Sequence, residues 1–193
     1  MMNKKKKLNI IKKQIFEHLN VVSSIFKIDD KILLFVNILL ETIKKKNKII
    51  IFGNGGSAAD SIHFAAELSG KYKKKNRRSL PVICLSENIS SITAIANDYD
   101  YDLIFKKQLE GIVSKGDLVI GVTTSGKSKN IIEALKYCKE KKIKSAAFLG
   151  SNKKSLSNYC DFIISIDSTE TARIQESHML IFHIVCEILE NYF

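Results

Sequence analysis

Arginine, proline and tryptophan are scarce in this 193-residue chain. There is one proline (Pro81), no tryptophan, and arginine stands only at Arg77, Arg78 and Arg173. The scarcity of arginine matters because the formal net charge is +11, which at first points to an anionic polymer as partner. Base-reading and phosphate-clamping surfaces favour the planar fork of arginine. Single-strand binders interleave aromatic residues with their basic runs. Here the basic runs at 4–7, 44–46, 73–75 and 141–142 are almost all lysine, lack interleaved aromatics, and fall at expected helix ends and in loops. They read as solvated termini that at most steer a small anion, and nucleic acid is not an expected partner.

Other absences narrow the class further. No CxxC pair exists among Cys84, Cys138, Cys160 and Cys186, which argues against metal clusters and redox motifs and leaves free thiols. The basic start lacks the apolar core of a secretion signal, and the most apolar stretch, 32–43, is broken by Asn37 and Glu41 and is too short to span a bilayer. A cytoplasmic chain without a membrane partner is the expectation. With 45% hydrophobic and 26% charged residues and a mean hydropathy of -0.02, the chain is neither disordered, collagen-like nor polytopic.

What is present is an alternation. Residues 8–25 and 30–46 are apolar at helical spacing, with Asp29 or Asp30 expected to cap the second helix. Strands are expected at 48–52, 81–85, 117–122, 145–149 and 162–166, with helices at 57–70, 88–96, 101–114, 129–141 and 171–191. Strand and helix in alternation behind a leading helical pair predict a three-layer α/β fold around a parallel sheet. The length suits one domain.

In such sheets ligands bind beyond the carboxyl ends of the strands. Two loops there are distinctive. Gly53-Asn54-Gly55-Gly56-Ser57 lets backbone approach a ligand, and 123–128 (Thr-Thr-Ser-Gly-Lys-Ser) sets four hydroxyls before a helix. Neither is a P-loop or a dinucleotide fingerprint. Helix N-termini with free N–H groups suit a phosphate or sugar phosphate. His63 and Glu67 share a helix face at i, i+4, and Gln175 and His183 lie two turns apart on the last helix. These four could supply a general acid and base, or close on one metal ion; the spacing leaves open whether the two helices meet. His18 has no such companions and reads as a surface residue, and His178 is a weaker candidate on the last helix.

At these residues the chain resembles the bacterial phosphoheptose isomerases, which belong to the sugar isomerase (SIS) fold. The resemblance covers nearly the whole chain. It is carried by Gly53-Asn54-Gly55-Gly56-Ser57, by His63-Phe64-Ala65 with Glu67, by Ala96-Asn97-Asp98, by Thr124-Ser125-Gly126 with Ser128, and by Arg173-Ile174-Gln175-Glu176 with His178 and His183. It implies a three-layer αβα SIS domain over 1–193, with a five-stranded parallel sheet and residues 1–46 as N-terminal helices contributing to oligomerisation. It implies a cytoplasmic homotetramer with sites near subunit interfaces. The activity it implies is aldose–ketose isomerisation of sedoheptulose 7-phosphate to D-glycero-D-manno-heptose 7-phosphate, the first step towards nucleotide-activated heptose for lipopolysaccharide core or other surface glycans.

The resemblance also assigns residues. Zinc, one ion per subunit, is implied at His63, Glu67, Gln175 and His183. Substrate contacts are implied at Asn54, Gly55, Gly56, Ser57, Glu67, Asn97, Asp98, Thr123, Thr124, Ser125, Ser128 and Gln175, and acid/base roles at Glu67 and His183. Three positions depart from the pattern: Thr123 where Ser is common, Lys71 where some members carry Arg, and Ala172 where some carry Asp. Two alternatives stand beside this reading. A non-catalytic SIS-fold protein that binds a replication initiator tends to lose the acid at position 67, the histidine at 183 and the Thr-Ser-Gly of the hydroxyl loop, all intact here. An SIS isomerase of another sugar phosphate, such as arabinose 5-phosphate, fits the Gln175/His183 helix less well.

Overall fold

The β-branched runs become strands because they can be buried on both faces, as parallel strands require. In the computed structural model, which describes residues 2–193, the strands are β1 Ile49–Gly53, β2 Val82–Cys84, β3 Leu118–Val122, β4 Lys144–Leu149 and β5 Phe162–Ser165. All pair in parallel in the order β2-β1-β3-β4-β5, with Ile49 opposite Val82 and Leu118. Every residue of β1 and β3 is buried. Among the described residues, seven α-helices accompany them: α1 Lys4–Ser23, α2 Asp29–Lys44, α3 Gly56–Ser69, α4 Ile89–Asp98, α5 Ile104–Ile112, α6 Lys129–Glu140 and α7 Thr171–Glu190.

The period of two along each strand sorts the core into two halves. Ile49, Ile51, Ile120 and Phe148 face α2, α3 and α7, where Phe35, Leu39, Phe64, Leu68 and Phe182 pack. Ile50, Phe52, Val119 and Ala147 face α5 and α6, where Phe105, Leu109, Ile131 and Leu135 pack. The Phe64 and Phe182 rings stack with centroids 4.5 Å apart, fastening α3 to α7. These two helices run side by side in the same direction, since Gly56 meets Gln175 and His63 meets His183 further along.

Three local expectations are corrected. Neither Asp29 nor Asp30 caps α2. The chain enters from a 3-10 turn at Ser24–Ile28, and Asp29 already has helical dihedrals, so the extended geometry of a capping residue is not available. Both acids sit in the first turn, where they still complement the helix dipole. The stretch 101–114 begins as a 3-10 turn, Tyr101–Leu103, before α5. His18 does have a companion: its Nδ1 lies 2.7 Å from the Glu176 carboxylate, 158 residues away. Arg173 joins the same cluster, donating to Glu176 and to the backbone carbonyl of Gln14, so polar contacts hold α1 against α7.

Candidate active site

The order of the strands places the site. The winding reverses at β1, so the crevice beyond β1 and β3 is the expected binding position for an open parallel sheet. The two distinctive loops leave these two strands. Together they line a cleft of about 230 Å³, formed by Asn54, Gly56, Ser57, Val122, Thr123, Thr124, Ser125, Ser128, Thr171 and Gln175.

Each loop is built for close backbone approach. Gly55 has φ +55° and Gly126 φ +68°, both in the left-handed region that side chains avoid. A Cβ on Gly56 would stand 2.3 Å from Gln175 Nε2, so glycine there lets α7 bring its amide to the loop. In the hydroxyl loop Thr123 Oγ1 lies 3.3 Å from Ser128 Oγ and accepts from the Gly126 N–H, while Ser125 Oγ accepts from the Lys127 N–H. Neither α3 nor α6 has a side-chain cap at its start, so both present backbone N–H groups to the crevice. An anion of phosphate size suits that field.

Along the α3–α7 seam stand the ionisable groups. His63 Nε2 is 3.3 Å from Glu67 Oε1. The His63 and His183 rings meet edge to face with centroids 5.2 Å apart. The two histidine-bearing helices therefore converge, which spacing alone left open. Two imidazoles, a carboxylate and the Gln175 amide form a donor set chemically suited to zinc. Among the described residues, no group of three His, Cys, Asp or Glu side chains is drawn close enough to hold a metal ion.

Other expected residues lie elsewhere. Asn97 and Asp98 are exposed at the end of α4, where the Asn97 amide donates to Asp98 at 2.8 Å, and neither lines the cleft. His178 points into the core instead, with its ring edge-on to Phe148, and neither ring nitrogen has a hydrogen-bond partner among the described residues.

Comparison with known proteins identifies the family. The SIS domain family model matches residues 17–150. The phosphoheptose isomerase of Aliarcobacter butzleri is 48% identical over 154 residues, 80% of this chain and 81% of that protein. Phosphoheptose isomerase 1 of Campylobacter jejuni is 41% identical over 96% of this chain and all of its own length. This chain belongs to the phosphoheptose isomerase family of SIS-domain proteins. The phosphoheptose isomerase structure from Neisseria gonorrhoeae superimposes with a TM-score of 0.89 at 31% identity, covering 95% of this chain and 98% of that one. Membership of the phosphoheptose isomerase family makes the chain an aldose–ketose isomerase of the sugar-phosphate class.

Several residues around this candidate site escape sequence reasoning. Asn54 exchanges hydrogen bonds with Asn130 (2.9 and 3.0 Å) and accepts from the Tyr101 hydroxyl, tying the glycine loop to α6. Ser86 both donates to and accepts from the backbone of Gly53. No local pattern marks these partners. Asp60 was findable by helical spacing, one turn before His63. Its Oδ2 is buried without a partner, and burial raises the carboxyl to about 6 against the opposing pull of His63.

Proposed function

We propose that the chain converts sedoheptulose 7-phosphate to D-glycero-D-manno-heptose 7-phosphate through a cis-enediol(ate). The observation that carries this reading is the meeting of Glu67, His63 and His183 on one seam, with Gln175 joining that seam to a hydroxyl-lined cleft. The phosphate lies against Thr123, Thr124, Ser125 and Ser128 and the start of α6. That remote binding energy places the reacting carbons at the seam.

Glu67 takes the proton from C1 of the ketose while His183 delivers a proton to the C2 carbonyl oxygen, giving the enediol. The O1 proton then leaves to His183, and Glu67 returns its proton to C2, so the aldehyde forms at C1 with no net gain or loss. Gln175 and Asn54 orient hydroxyls along the chain of the sugar. Zinc is proposed at His63, Glu67, Gln175 and His183, where it would supply Lewis-acid polarisation of the sugar oxygens. The physiological setting proposed is the cytoplasm, at the first step towards nucleotide-activated heptose for surface glycans.

A homotetramer with sites near subunit interfaces is part of the same proposal. Its support is the apolar surface of α1, α2 and the 3-10 turn between them, where Leu8, Ile11, Ile15, Leu19, Phe26 and Leu33 are exposed.

Purified protein is expected to isomerise sedoheptulose 7-phosphate, and Glu67→Gln or His183→Gln should lower kcat by about 100-fold or more, the usual scale for an acid or base. Full activity in Glu67→Gln would sink its assigned role. A panel including arabinose 5-phosphate decides the substrate. Zinc is tested by metal analysis and by chelation, which should lower both activity and thermal stability; no change in either removes it from the reading.

A further inference from the structure

The segment 71–80, which follows α3, has no regular secondary structure, yet it is held by a buried ionic knot. Glu190, in the last turn of α7, is buried, and its carboxylate accepts from the backbone N–H groups of Tyr72 (2.7 Å), Lys73 (2.8 Å) and Lys74 (3.1 Å) and from Arg77 Nε (3.4 Å). Arg77 is buried as well. Its remaining nitrogens donate to the carbonyls of Glu67, Leu68, Gly70 and Arg78, covering the C-terminal end of α3. Burying a carboxylate and a guanidinium is costly unless nearly every donor and acceptor is used, and here they are. A surface loop that only needed closing could be closed more cheaply with apolar contacts.

What the knot places is a ring. Tyr72 lies over His183, with centroids 5.5 Å apart and planes 22° from parallel, while His63 abuts the same imidazole edge to face. The Arg77 that completes the knot also holds the backbone carbonyl of Glu67. One cluster therefore governs the chain at Glu67 and the ring against His183.

We propose that Tyr72 is a positioning residue for the isomerisation, a flat wall seated by Glu190 and Arg77 that fixes the orientation of the His183 imidazole. This rests on His183 being the group that moves protons at the sugar oxygens. The ring, and not its hydroxyl, is what acts. A parallel face limits rotation of the imidazole, whereas an aliphatic side chain of similar bulk fills space without doing so.

The test compares Tyr72→Phe, Tyr72→Leu and Tyr72→Met in the full-length protein. In metal-stripped protein, the His183 ring protons, assigned with His183→Gln, should carry an upfield ring-current shift by NMR. That shift should persist in Tyr72→Phe and shrink in the other two to what the His63 ring contributes. This readout needs neither substrate nor metal, so it stands even if the proposed substrate is wrong. In turnover, Tyr72→Leu and Tyr72→Met should lose about tenfold or more in kcat with KM nearly constant, as expected when a reacting group is misplaced by a fraction of an ångström. Tyr72→Phe should restore kcat. An unchanged His183 spectrum in a folded Tyr72→Leu or Tyr72→Met protein would overturn the proposal. So would equal kcat losses in the Phe and Leu variants, which would assign the effect to the hydroxyl.

Discussion

His178 is a histidine whose titration is set mainly by burial. Its ring lies in the core against Phe148, and burial depresses its pKa from 6.5 to about 4. In the unfolded chain the imidazole takes its proton near the ordinary value. Between those two pH values the unfolded state therefore holds more protons, and stability falls as pH falls. Lowering the pH from 7 to 4 should withdraw about 3 kcal/mol through this one group. Asp60 acts in the opposite sense. Its folded carboxyl binds a proton near 6, above its ordinary 3.8, so acidification between those values favours the folded state. The two act in opposite directions in the native chain. In His178→Leu the imidazole's contribution is gone, so urea unfolding at stepped pH should show that the variant's deficit relative to the native chain shrinks from pH 7 to pH 4. A deficit independent of pH would mean that the imidazole is not held neutral. At this scale the sequence was informative only where partners are close in the chain. His63 and Glu67 are four residues apart and their shared face was legible. Asn54 and Asn130 are 76 apart, and His18 and Glu176 are 158 apart, so only the folded chain brings them together.

At the scale of elements, the strands and helices were legible because both faces of β1 and β3 are buried, and uninterrupted β-branched runs announce that. The ends were less so. The start of α2 depends on the 3-10 turn before it, and the end of α3 is covered by Arg77 from outside the helix. The meeting of α3 with α7 was not legible, although its condition was present as Gly56. The test is Gly56→Ala. Its Cβ would meet the end of a flexible side chain, the Gln175 amide, and no backbone atom stands among its nearest neighbours. The amide can swing away, so the fold should survive, with Tm lowered by no more than a few degrees, about 1 kcal/mol or less. Activity should fall by about tenfold or more because Gln175 no longer reaches the sugar. Differential scanning calorimetry beside turnover measurements checks both halves. A large drop in Tm with proportionate loss of activity would show that the glycine serves packing instead.

The whole molecule carries two surface features that the single chain does not use. One is apolar. No residue of α1 is buried, and a groove of about 320 Å³ lined by Val22, Ile25, Phe26, Ile32, Leu33 and α7 side chains continues that surface. If subunits pack there, Phe26→Asp should shift the species seen by light scattering to a smaller one, with isomerase activity falling in step. A variant that keeps the native mass would place the interface elsewhere.

The other feature is the +11 charge. Scarce arginine already argued against nucleic acid, and the cleft itself is lined by hydroxyls, amides and glycine with no charged side chain. The lysines can therefore act on a sugar phosphate only at a distance, through the field that guides its approach. Such a field is screened within about 8 Å at 0.15 M salt. Raising sodium chloride from low salt to about 0.3 M should then lower kcat/KM modestly, about two- to threefold, by slowing capture and leaving kcat unchanged. The effect should appear in kcat/KM because the substrate is anionic. A kcat/KM indifferent to salt would reduce the lysine excess to surface composition. A fall in kcat itself would mean that a lysine side chain reaches the reacting atoms, contrary to the uncharged lining of the cleft.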